Sequence, residues 1–163
     1  MVEQFAMPSE EEADSVCKLC SLLPDCVERA KLPLAVLTGA IENGTARPDY
    51  RGYYHACLGL CAYRDGHFAE SADWSSKACE NFGKQGPGGA LALAVLALAQ
   101  ERSQQSDLAR QSLAECTALI PPELATLGSP EFQGSLPVSE ITIHPDWLMA
   151  EILRREAALL MDP

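Results

Sequence analysis

Positive charge is scarce in this chain: 12 Lys and Arg stand against 23 Asp and Glu, for a formal net charge of −11. A surface with that balance repels phosphate backbones and anionic lipid, so neither nucleic acid nor a membrane is an expected partner. Aromatic residues make up only 6% of the chain, which disfavours sheet packing, while frequent Ala and Leu suit close contact between helices. No long apolar run occurs either. The longest, residues 90–99, is about half of the ~20 residues that a membrane span requires. Residues 1–12 show no basic stretch followed by an apolar one, so no secretion signal is read there and the expected location is the cytoplasm. Also missing are a Gly-rich phosphate loop, a catalytic-loop Asp and a metal-binding Asp motif, so the chain is not expected to phosphorylate anything by itself.

What is present points to helices. A length of 163 residues with 47% hydrophobic content is enough for one domain that buries roughly two-thirds of its unfolded surface, with no metal or disulfide staple needed. The seven cysteines are an odd count, and in a reducing compartment each behaves as a small buried hydrophobe.

Ala40, Ala78 and Cys116 recur at an interval of 38 residues, each within an apolar pattern that reads as the second helix of a hairpin. A fixed period of about 30–45 residues with one helix pair per period implies hairpins that bury their faces only against one another. The first hairpin spans 9–44. Ser9 and Glu12 form a capping box, and the helix that follows carries Val16, Cys17, Leu19, Cys20 and Leu23 up to Pro24. A second helix runs from about residue 26 to 42 and stops at Asn43-Gly44; Pro33 either kinks it or lies in its first turn, with the start near Lys31.

The second hairpin spans 49–84. Tyr54, Cys57, Leu58 and Cys61 share one helix stripe, Asp65-Gly66 makes the turn, and Phe68, Ser71, Ala72, Ser75, Ala78, Cys79 and Phe82 line the return helix. Gly86, Pro87, Gly88 and Gly89 read as a breaker. The third spans 88–118, with Ser106 and Asp107 capping its second helix and Leu108, Ala109, Ser112 and Leu113 on its buried side. Residues 90–99, apolar all round, should be covered on both sides. Residues 119–144, with four Pro and two Gly, read as a loop, ordered or partly mobile. A closing helix over 145–161 starts with Pro at its first position, and Glu151 and Arg155 pair on its wet side.

Leu58-Gly59, Gly66-His67-Phe68 and Ala78 resemble the tetratricopeptide repeat (TPR) family, whose hairpins show Leu-Gly in the first helix, a Gly-aromatic turn and small residues where helices touch. The run from Tyr54 to Ser71 is similar to TPR segments near the C-termini of large bacterial proteins that also carry a Ser/Thr kinase or a WD40 propeller. Residues 20–25 and 146–160 are similar to segments flanking those repeats. Departures from the pattern are Ser71 in place of the usual Ala, Gln104 in place of the turn Gly, and a period of 38 instead of 34.

The resemblance implies an all-α superhelix of about three hairpins with a C-terminal capping helix. Its expected role is a non-catalytic module that binds another protein or peptide on the concave side. In this chain that side would carry Tyr53, Ala56, Leu60, Tyr63 and Arg64, continued by Leu91, Ala94, Leu98, Glu101 and Arg102. Tyr53, Tyr63, Arg64 and Arg102 are the candidate partner-binding residues, because aromatic and Arg anchors dominate interfaces; the apolar members suit packing against the closing helix. Ala and Leu at the inner positions lack the donors needed to clamp an acidic C-terminus.

Two other readings compete. One reads the chain as a structural terminal segment of a kinase-associated protein with no groove of its own, the other as a small thiol or zinc protein built on Cys17, Cys20 and Cys26. The CxxC spacing lies on an expected helix with no second pair following it, so neither a metal nor a cofactor is expected. His55, His67 and His144 have no carboxylate or nucleophile at a fixed spacing, so no catalytic group is assigned; His144, directly before Pro145, reads as a helix cap. The edge of the first hairpin is open to self-association.

Overall fold

The computed structural model describes residues 8–25, 27–125 and 144–162, and the fold is all-α, with no strand among the described residues. Its α-helices are α1 (Glu10–Leu22), α2 (Leu34–Glu42), α3 (Pro48–Arg64), α4 (Phe68–Phe82), α5 (Gly86–Arg102), α6 (Ser106–Leu119), α7 (Pro122–Ala125) and α8 (Pro145–Met161), with a 3-10 turn at Arg29–Lys31. Among the described residues no helix is long and apolar enough to cross a membrane.

The helix ends follow local chemistry. Ser9 Oγ accepts from the Glu12 N–H while Glu12 Oε2 accepts from the Ser9 N–H at 2.8 Å, the reciprocal box expected of that spacing. His144 Nδ1 accepts the Asp146 N–H at 3.3 Å and caps α8. Pro begins α3, α7 and α8 or lies in the first turn of α5, where its missing N–H costs nothing.

Several expected boundaries move. The helix expected over 26–42 is replaced by the 3-10 turn and by α2, which starts only after Pro33, whose ring cannot supply an interior N–H. Gly86, Pro87, Gly88 and Gly89 do not break the chain but form the first turn of α5. Gln105, not Ser106 or Asp107, occupies the N-cap of α6, and Ser106 Oγ instead donates to Glu101 at 3.2 Å. Part of the expected 119–144 loop is helical: α6 runs to Leu119 and α7 adds one turn started by Pro122. The rest, 126–143, and Cys26 lie outside the described residues.

Each hairpin packs internally, α1 on α2, α3 on α4 and α5 on α6, and the first helices also meet in sequence, α1 on α3 and α3 on α5. Ala40, Ala78 and Cys116 are all buried on α2, α4 and α6, as their spacing demands. The stretch Ala90 to Ala99 is buried throughout: α4 and α6 cover it on one side, and α8 returns to lie along it on the other. Ser71, the departure from Ala, is fully buried and donates to the Gly59 carbonyl at 2.8 Å, stitching α3 to α4.

Two glycines, Gly52 on α3 and Gly88 on α5, make a slot for the Phe82 ring. A Cβ on Gly52 would stand 2.8 Å from Phe82 Cζ, and one on Gly88 would stand closer still. Gly66 and Gln104, one 38-residue period apart, turn the chain between α3 and α4 and between α5 and α6 with φ of 79° and 61°. Glycine meets that left-handed demand without strain; glutamine does not.

Gly88→Ala should therefore lower stability by about 1–3 kcal/mol through overpacking, read as a shift of the urea midpoint, with Phe82→Leu in the same chain recovering part of the loss. Gln104→Gly should raise stability by about 0.5–1 kcal/mol, read as a higher urea midpoint, because it relieves a left-handed side chain in an exposed turn. A lowered midpoint would show that the Gln104 backbone carries no strain.

Candidate functional site

Helix α8 meets residues from all three first helices. Met149, Ala150, Leu153 and Ala157 share one core with Ala56 and Leu60 of α3 and with Leu91, Ala94 and Leu98 of α5. These are the inner positions at which a partner groove was expected, and the chain's own last helix fills them.

Polar ties fix α8 at both ends. At one end Arg64 donates through Nε to the Ser21 carbonyl at 2.8 Å and through Nη2 to the Leu22 carbonyl at 2.7 Å, satisfying the end of α1 with a cation at its negative pole. The same guanidinium forks onto Glu156 of α8, with Nη2 to Oε2 at 2.7 Å. Tyr63 is 6% exposed and also reaches Glu156, at 3.4 Å. At the other end Lys18 of α1, only 5% exposed, sits between Asp14 at 2.8 Å and Asp146 of α8 at 3.5 Å. Burial opposes the Lys18 charge, yet the two carboxylates prevail and raise its pKa; burial pushes the Asp14 carboxyl up, with Lys18 pulling against it.

Tyr53 stands beside this trio. Its ring lies under the Lys18 ammonium at 4.8 Å, meets Phe82 edge-on at 4.8 Å, and stacks with His144 at 5.9 Å. A cleft of about 600 Å³ opens here between α1, the start of α3 and the start of α8. Its walls include Asp14, Lys18, Leu19, Tyr50, Tyr53 and Asp146.

The four candidate partner-binding residues are thus not one site. Tyr53 lines the cleft. Tyr63, ten residues further along α3 and so about 15 Å away along its axis, is buried, and Arg64 beside it is spent on α1 and α8. Arg102 is exposed at the end of α5, and its positive charge works against the rise that burial imposes on the Tyr63 hydroxyl's pKa. The Lys18, Asp14 and Asp146 trio escaped sequence reasoning: residues 14 and 18 are spaced as an ordinary surface i,i+4 pair, and nothing local marks Asp146, 128 residues away, as their third member. Glu151 also departs from expectation. Its side chain is 3% exposed and held by Arg154 at 2.7 Å and Arg155 at 2.6 Å.

Five of the six described cysteines are core thiols. Cys17, Cys57 and Cys61 lie buried where α1 meets α3, Cys79 and Cys116 in the larger core, and Cys20 is half-buried. Among the described residues no group of three or more His, Cys, Asp or Glu is arranged to hold a metal ion. His55 is buried, stacked on Trp74 at 5.4 Å and paired with Asn81 at 3.3 Å, while His67 lies exposed between Asp65 and Glu70. No family model, curated protein or solved structure matches this chain.

Burial pushes the Cys116 thiol up to about 12 and the Cys79 thiol up to about 11, from an ordinary value of 9.0. A raised acid pKa adds stability that is complete below the unfolded value and is lost as pH climbs through the folded one. The thermal midpoint should therefore fall as pH rises from 9 toward 11 and 12, and changing both cysteines to Ala should flatten that decline. An unchanged slope would mean that these thiols ionise freely in the folded protein.

Proposed function

We propose that the chain is a non-catalytic helical-repeat module of the tetratricopeptide type, and that it binds a protein partner at the cleft between α1, α3 and α8. The single observation that carries the reading is the consecutive packing of first helices, α1 on α3 on α5, each backed by its own second helix. Hairpins stacked in this way cannot bury their faces alone and, once stacked, offer an extended surface with no preformed reaction centre. The equivalent burial of Ala40, Ala78 and Cys116 and the shared left-handed turn at Gly66 and Gln104 support the same repeat.

A second reading, a structural terminal segment with no groove of its own, draws on the filling of the inner face by α8. The binding reading is favoured because the filling stops short. At the start of α8 the packing opens into the cleft, whose walls include Tyr50 and Tyr53 beside charged groups, and aromatic residues commonly anchor interfaces.

The test is affinity capture from the native host, followed by calorimetry between the purified partner and this chain. A saturable 1:1 complex is expected, with Tyr53→Ala weakening it about tenfold or more and Arg102→Ala leaving it unchanged. Equal loss in both variants would move the site away from the cleft. A folded chain that saturates with no captured protein would favour the structural segment.

A further inference from the structure

Near the C-terminal end of α1 a second, smaller cleft brings together thiols from two helices. Cys20 of α1 and Cys61 of α3 both line this opening of about 320 Å³, whose walls also include Ser21, Glu28, Arg64 and Asp65. Walls of that polarity admit water and the small solutes dissolved in it. Cys20 is half-buried, whereas every other described cysteine is buried.

Cys61 faces α1 across the seam between the helices. Its Sγ lies 3.1 Å from Ser21 Oγ and 3.9 Å from the Cys17 carbonyl oxygen. The turn of α1 that it touches, residues 17–21, is the turn that carries Cys20. The CxxC spacing of the sequence therefore sets Cys20 at the cleft and Cys17 inside the seam. Cys17 and Cys57 are fully enclosed there, and burial pushes the Cys57 thiol well above its ordinary pKa. The thiolate is the form that an oxidant attacks, so an enclosed thiol held neutral is a poor target. Oxidation that reaches this seam enters at Cys20, and Cys61 is the thiol that shares its cleft.

We propose that Cys20 and Cys61 are a peroxide-responsive redox pair that joins α1 to α3 through a reversible disulfide. The Cys20 thiolate attacks hydrogen peroxide and the O–O bond breaks; Cys20 becomes a sulfenic acid, and the released hydroxide takes up the thiol proton as the first water. Cys61 Sγ then leaves Ser21 Oγ and attacks Cys20 Sγ. The S–S bond forms, the S–O bond breaks, and the departing hydroxide carries off the Cys61 proton as the second water. Each sulfur gives up one electron, and the peroxide is reduced to water. Disulfides of this kind in a reducing compartment are transient and serve as sensors. The bond fixes the end of α1, which in the reduced chain is held by Arg64 on the Ser21 and Leu22 carbonyls. This pair stands apart from the α8 cleft and does not depend on a partner there.

The test treats the reduced, folded full chain with hydrogen peroxide, blocks the remaining thiols and maps the product by mass spectrometry. The product should have lost about two thiols per molecule and carry a Cys20–Cys61 bond that dithiothreitol reverses, with Cys79 and Cys116 still reduced. Cys20→Ser, a mild change at a half-buried site, should abolish the thiol loss. Cys61→Ala should leave Cys20 as a sulfenic acid that dimedone traps. Thiols untouched at a peroxide level that oxidises free glutathione would overturn the proposal. So would a bond from Cys20 to Cys17 or Cys26, or a bond between two molecules.

Discussion

Helix α5 constrains everything around it. From Ala90 to Ala99 it has no polar side, so every direction must be shielded from water. Fully burying a leucine stabilises by about 1.5–3 kcal/mol, and Leu91, Leu93 and Leu98 are each at most 1% exposed. Helices α4 and α6 shield one side as hairpin neighbours, and α3 adds a flank. The remaining side requires a helix from outside the hairpins, and α8 supplies it. The inner face that the repeat pattern offers to a partner is consequently part of the core.

Ionic ties set where α8 comes to rest. A single guanidinium, that of Arg64, joins the end of α1 to Glu156, and at the opposite end of α8 Asp146 reaches Lys18. Burying Lys18 is costly unless its carboxylates stay in place. The same contact holds α1 with Ala13 and Cys17 toward the core and Leu19 facing out. Core closure, the buried Lys18 and the open cleft between α1 and α8 are therefore one arrangement seen from three sides.

Much of the helical plan was legible in the chain. Capping by Ser9 and His144, the turn at Gly66, the burial of Ala40, Ala78 and Cys116 and the full coverage of residues 90–99 all follow from local rules of periodicity and backbone geometry. Errors arose where a distant partner overrode a local preference. Gly88 looks like part of a breaker until Phe82 needs the space that a side chain there would take. Glu151 pairs with Arg155 as expected, yet its own side chain is only 3% exposed. Of the candidate residues, Tyr53 lines the cleft while Tyr63 and Arg64 are committed to holding helices together, a distinction that residue type cannot reveal.

The sequence alone determined the helical class, the hairpin spacing and the need to enclose residues 90–99, because these depend on neighbours within a few turns along the chain. Which surface was left open was decided only by tertiary structure. A charge such as Lys18 can be buried only where a carboxylate from another helix awaits it, and no local pattern specifies that pairing across 128 residues.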